Sequence, residues 1–233
     1  MNIHSKLFRI WLLFILITSM GCSSLSKQSK VEGIYNPDLC EACAVYDQTM
    51  SMKRTPLRFT SGRVVDNGTD YMQECMVSAV DDVTDNYIIH SEYLICLSAY
   101  LIRHANKNAK RSYAPSSFGK ELFHRLDLQS APSSMMEQTN SKKWTLSAFA
   151  LEGMPFDISK YVVCSDSDEW FLRFEVVANV DINGDGTSDW IIWLTDEAIH
   201  GTYRVYWAIV IYSPSRSGPL LACDAYKALK LLR

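Results

Sequence analysis

Two hydrophobic rhythms divide the chain. Between residues 34 and 128 apolar positions recur at helical spacing. Leu94, Leu97 and Leu101 follow Asp81, Asp82 and Asp85 and precede Arg103 and His104, and acid first, base last complements a helix dipole. Further helices are predicted from Leu39 to Met50, from Phe118 to Leu126 and from Cys223 to Leu232. From Lys143 onward the period becomes two. Trp170, Leu172, Phe174, Val176, Ala178 and Val180 alternate with Arg173, Glu175 and Asn179, which is the pattern of a strand with one buried face. Trp190 to Leu194 and most of Tyr203 to Tyr212 are continuously apolar, predicting central strands covered on both faces. Trp144 to Leu151 reads as an edge strand.

These elements predict an α+β fold, with N-terminal helices packed on a C-terminal antiparallel sheet of about four strands. Residues 129–142 are rich in Ser, Pro, Gln and Asn and read as a surface linker between a mainly helical part, 34–128, and a sheet part, 143–233.

The first residues follow a different plan. Lys6 and Arg9 precede an uncharged apolar run from Ile10 to Ile17, which ends in small residues before Cys22. That is the layout of a secretory signal, and the run is short of the roughly 20 apolar residues that a spanning helix needs. Ser19-Met20-Gly21-Cys22 resembles a bacterial lipobox, although Ser19 stands where that family usually carries Leu. The resemblance implies that residues 1–21 are a signal peptide and that Cys22 receives lipid, anchoring the chain to a membrane. Ser23 after the cysteine, with no Asp, implies the outer membrane, with the protein facing the periplasm. The alternative is an ordinary cleaved signal that leaves a soluble periplasmic protein. Residues 22–33 are polar and read as a flexible tether.

Removing residues 1–21 takes Lys6 and Arg9, and no acid, from 23 basic and 26 acidic residues, leaving a net charge of -5. An acidic chain is a poor partner for nucleic acid. Six cysteines remain besides Cys22: Cys40, Cys43, Cys75, Cys96, Cys164 and Cys223. An even number in an exported chain favours three disulfides; sequence alone does not choose among the 15 pairings, and the set expected here is Cys40–Cys43, Cys75–Cys96 and Cys164–Cys223. The Cys40-Glu-Ala-Cys43 element has two further readings, a redox pair and a zinc ligand set. Asn36-Pro37-Asp38 before it marks a turn into a helix with no preceding strand, unlike thioredoxin motifs.

The densest chemistry lies at Asp181-Ile-Asn183-Gly184-Asp185-Gly186-Thr187-Ser188-Asp189. Oxygen side chains fall at every second position and Gly186 permits a sharp turn, which suits the six to eight oxygen ligands of calcium. Asp181, Asn183, Asp185 and Asp189 would offer side chains, and Thr187 its carbonyl. The stretch resembles the first nine positions of an EF-hand, but Ile192 stands where the bidentate Glu belongs. With strands flanking it, it is more similar to the calcium loop of FG-GAP repeats. A missing ligand would then come from Asp166, Asp168, Asp196 or Glu197. The competing reading is a metal-free turn, since Asn, Gly and Asp are favoured in turns for their own reasons.

No Gly-x-Ser-x-Gly elbow, zinc helix or phosphate loop is present. Ser117-Phe-Gly-Lys120 matches Ser-x-x-Lys without its companion motifs. His90, His104, His124 and His200 each stand alone in sequence. Asp196 and Glu197 form an adjacent acid pair that follows a strand and faces solvent or assists calcium. A small envelope lipoprotein without a catalytic constellation resembles, in profile and not in motif, the immunity lipoproteins that guard the periplasm against type VI secretion toxins. The resulting expectation is a non-enzymatic, calcium-stabilised module that binds a protein partner, with toxin neutralisation its most specific form. The alternatives are a structural or assembly lipoprotein of the envelope and a calcium-dependent hydrolase.

Overall fold

The computed structural model describes residues 32–81, 89–107 and 109–229. The predicted signal peptide, Cys22 and nearly all of the tether lie outside those residues, as do Asp82 and Asp85. The described residues all belong to one compact unit.

Helix α1 (Pro37–Ala44) starts where Asn36 accepts a hydrogen bond from the Leu39 N–H at 3.0 Å and Pro37 opens the first turn. Both residues suit a helix start. Val45 leaves the helical backbone, so the single predicted helix becomes α1 and α2 (Tyr46–Ser51). A short hairpin, β1 (Leu57–Arg58) and β2 (Val64–Val65), leads to α3 (Gly68–Cys75), capped by Asn67, and then to α4 (Leu94–His104). Helix α4 ends on Arg103 and His104, as predicted, but it starts at Leu94 with no acid in its first turn, so the expected charge order holds only at its basic end.

Helix α5 (Phe118–Arg125) runs into β3 (Leu126–Asp127), and a 3-10 turn (Met136–Gln138) precedes α6 (Leu146–Leu151). Strands β4 (Asp157–Ile158), β5 (Val162–Asp166), β6 (Trp170–Val180), β7 (Asp189–Ala198), β8 (Arg204–Ile211) and β9 (Leu220–Asp224) follow, before α7 (Ala225–Leu229). The fold is α+β, but the sheet has seven strands in the order β3-β9-β8-β7-β6-β5-β4. It is mixed, because β3 lies parallel to β9 while the other pairs are antiparallel.

Strands β7 and β8 are covered on both faces, as their unbroken apolar runs predict. Ile191 and Val210 face a core built with α3, α4 and α7, which includes Leu57, Tyr71 and Leu97. Trp190, Ile192 and Ile209 face a second core built with α5 and α6, which includes Phe118, Leu122 and Leu146. Helices therefore sandwich the sheet. In β6 the predicted alternation holds only as far as Val176. A register shift between Val176 and Ala178 inserts an extra residue, and such a bulge turns the side chains after it to the opposite face. Leu172, Phe174 and Val176 thus enter the second core, while Val177 and Ala178 enter the first.

Two sequence expectations change here. Trp144 to Leu151 is no edge strand. Leu146 and Phe149 are buried three residues apart on α6, a helical spacing that a six-residue run disguises. Residues 129–142 do not hang free either, since Ala131 and Met135 are buried in the second core and the Ser130 hydroxyl accepts from the Ala222 N–H at 2.8 Å.

The first core also encloses a polar knot. His90 is 2% exposed; its Nε2 lies 2.9 Å from the Tyr71 hydroxyl and also meets the hydroxyl of Tyr226. Burial lowers the His90 pKa to about 4, against about 6.5 for a free histidine. The unfolded chain therefore binds the extra proton first, and the contribution of this site to stability, full above about pH 6.5, is lost as pH falls toward 4. Urea unfolding at pH 7 and pH 4.5 should show the parent losing about 2–3 kcal/mol more than His90→Gln; equal losses would contradict this.

Candidate functional site

The acidic loop connects β6 to β7, and its side chains close it from within. Asp181 is fully buried. Its carboxylate accepts from the backbone N–H groups of Gly184 (2.8 Å) and Gly186 (2.9 Å) and from the Asn106 amide (2.9 Å). Gly184 and Gly186 have φ of 75° and 84°, a left-handed backbone that favours glycine. Asn183 accepts from the Asp185 N–H, and Asp185 accepts from the Thr187 N–H at 2.7 Å and the Ser213 hydroxyl at 2.7 Å. The Ser213 bond first, then that of Thr187, holds the Asp185 carboxyl below its ordinary range.

Asp189 is also fully buried, at the first position of β7. One of its oxygens accepts from the Ser213 N–H and the other from the Ile182 N–H, both at 2.8 Å. It thereby ties the loop to the end of β8. Burial, opposed by those bonds, pushes its pKa up to about 6.

A neighbouring segment locks the outside of the loop. Asn106 N–H donates to the Asp181 carbonyl, Lys110 and Arg111 N–H groups donate to the Gly186 carbonyl, and Ser188 N–H donates to the Arg111 carbonyl. Sequence reading missed this clasp, because nothing in residues 106–112 signals pairing with a loop about 70 positions away.

Each carboxylate oxygen that accepts an N–H keeps a second lone pair, so these bonds do not by themselves exclude an ion. Among the described residues no three His, Cys, Asp or Glu side chains stand together as a metal-holding group. Nor can the proposed extra ligands help. Asp196 and Glu197 lie at the far end of β7, about 23 Å from Asp189 at the rise of a strand. Asp166 pairs beside Phe171, and Ser167 is bonded to Trp170, so Asp166 and Asp168 flank the same far end.

At that far end Asp196 organises a second cluster. It is fully buried and accepts from the Trp170 indole N–H (2.6 Å), the Ser134 N–H (2.6 Å) and hydroxyl (3.1 Å), and the Tyr203 hydroxyl (3.3 Å). The Trp170 and Tyr203 rings lie 5.4 Å apart. Around them Met136 and Ile199 are each 43% exposed and Tyr203 is 37% exposed. Burial, then Asp196, pushes the Tyr203 pKa above the usual range. Glu197 accepts from the Tyr206 hydroxyl instead of pairing with Asp196.

The other sequence candidates disperse. Among the described residues the six cysteines carry no disulfide. Cys40 and Cys43 share α1, and Cys75 and Cys96 border the first core beside Tyr71. Cys164 on β5 and Cys223 on β9 have β6, β7 and β8 between them. At about 4.8 Å per strand they lie beyond the roughly 7 Å that a disulfide tolerates between Cα atoms. Burial pushes the Cys43 thiol up to about 11, the opposite of an exchange-active thiol. Ser117 of the Ser-x-x-Lys match is the cap of α5, accepting from the Lys120 N–H. His104 bonds the Tyr100 carbonyl, His124 lies against Phe123, and His200 is exposed in the β7–β8 turn.

Beside the acidic loop a cleft of about 690 Å³ opens between the end of α4, residues 32–35 and the end of β6. Comparison with protein-family models, curated proteins and solved structures finds no match for the chain.

Because backbone donors close the loop without an ion, the chain should melt cooperatively in chelator, and about 10 mM calcium, enough to saturate weak extracellular sites, should raise melting by less than about 5 °C. A rise of about 5 °C or more on adding calcium would contradict this. Asp189→Ala, which strands the Ile182 and Ser213 N–H groups, should cost about 2–4 kcal/mol in urea unfolding.

Proposed function

We propose that this chain is a non-enzymatic binding module of the bacterial envelope, held through lipid on Cys22 to the outer membrane and facing the periplasm. Its partner is a protein, and neutralisation of an antibacterial toxin is the most specific form of that role. The observation that carries the reading is the aromatic surface at the far end of β7, where Trp170 and Tyr203 are fixed over Asp196 and flanked by exposed Met136 and Ile199. Rigid aromatic and Met side chains lose little freedom on docking, and such groups supply most of the energy of protein interfaces. Occlusion of a partner's cleft needs only such a surface, and a tether would keep it where an envelope-directed toxin acts.

The test is self-protection. Cells lacking the chain should succumb to neighbours of their own strain that deliver the toxin, and the parent gene should restore survival. Ile199→Asp and Tyr203→Ala should fail to restore it, with a partner Kd weakened by about thirtyfold. Ile199→Asp should leave melting nearly unchanged, because the side chain is substantially exposed. Full survival of the deletion strain, or full rescue by both variants, would contradict the proposal.

A further inference from the structure

The aromatic surface at the far end of β7 is bordered by charge of one sign. The turn from β5 to β6 carries Asp166, Asp168 and Glu169, all exposed. The Glu169 carbonyl accepts from the Ile199 N–H at 2.8 Å, which sets that turn against the apolar patch. On the Tyr203 side, burial, Asp196 and then Glu137 raise the pKa of the phenol, so exposed Glu137 stands near that ring. Among the described residues none of these four acids forms an ion pair. The basic groups close by are Arg204, opposite Glu197 in the β7–β8 register, and exposed His200 in the β7–β8 turn. They are too few to match the acids.

A further carboxylate lies beneath the patch. Asp196 is fully buried, and its partners are the Trp170 indole, Ser134 and the Tyr203 hydroxyl, none of them a cation. Both aromatic side chains thus direct their polar hydrogens to a carboxylate, while Tyr203, Met136 and Ile199 remain partly open to solvent.

An apolar centre inside a polar, solvated rim is the anatomy of a protein interface. Here the rim is acidic and uncompensated. Like charges gathered at one end of a molecule repel one another and attract the opposite charge over a distance set by the salt. A cationic partner relieves that repulsion on docking, whereas an anionic lipid surface or a nucleic acid would add to it.

We propose that the protein partner of this surface presents a basic face, with an apolar side chain seated among Met136, Ile199 and Tyr203 and with Arg or Lys side chains around it that meet Glu137, Asp166, Asp168 and Glu169. The inference rests on the aromatic surface being the docking face, and adds the charge of what docks there. Rim acids of this kind speed association and fix orientation more than they hold the complex together.

The experiment uses the mature chain with Cys22→Ser and two probes, the acetylated and amidated peptides Ala-Arg-Leu-Arg-Ala and Ala-Glu-Leu-Glu-Ala, followed by NMR at the Trp170 indole and the Ile199 amide. The Arg peptide should shift both signals with a Kd of about 1–5 mM, and the Glu peptide should shift neither at about 10 mM. Raising salt from about 50 to about 500 mM should weaken the Arg peptide about fivefold or more. Asp168→Asn with Glu169→Gln should weaken it about threefold or more while melting stays at the parent value, because both side chains are exposed. In the self-protection assay, Asp168→Lys with Glu169→Lys should fail to restore survival. Equal shifts from the two peptides, no shift from either, or full rescue by the charge-reversed variant while Tyr203→Ala fails would overturn the basic partner and leave the docking face standing. Full rescue by all of these variants, Ile199→Asp included, would remove the docking face as well.

Discussion

Burial of the β7 and β8 strands on both faces is the constraint from which the rest follows. With helices on each side, backbone groups at the strand ends have little access to water, and a buried N–H without an acceptor costs as much as a lost hydrogen bond. The chain meets that need with carboxylates. Asp189 at one end of β7 takes the backbone N–H groups of Ile182 and Ser213, and Asp196 at the other takes the backbone N–H of Ser134 and the indole N–H of Trp170. Neither acid has a cation among these partners. Each is held by several donors at once, which is the other way to stabilise a buried charge.

Both the cleft and the aromatic surface are consequences of those clamps. The Asp189 and Asp181 bonds fix the loop and, through Asn106, the segment that forms one wall of the cleft. The Asp196 bonds fix Trp170 and Tyr203 in a half-exposed position that their apolar rings would not otherwise keep. A rigid frame with satisfied ends suits recognition, since little freedom remains to be lost when a ligand docks.

Much of this fold was legible in the sequence, and the misses have physical causes. The unbroken runs of β7 and β8 and the alternation of β6 showed central strands, and the charge order of α4 showed its end. Strands β3 and β4 are two residues long, too short for any periodicity, and β5 and β9 are five residues each. The bulge at Val177 depends on register with β7 and leaves no mark in composition. At the loop, the oxygen pattern located a structured site but not its ligand. Alternate Asp and Asn side chains are what both an ion and a tight glycine turn require, so the spacing alone does not separate them. The cleft was invisible, because it joins residues 33–35, 103–107, 109–112 and 179–181 through tertiary packing alone.

Amide hydrogen exchange at the β6–β7 turn tests the clamp most directly. In chelator, the amides of Ile182, Gly184, Gly186 and Ser213 should exchange at least about a hundredfold more slowly than an unstructured chain, comparable with neighbouring strand amides. Exchange at the unprotected rate in chelator, slowed only when calcium is supplied, would show that an ion and not the carboxylate-to-amide bonds closes this end of the sheet.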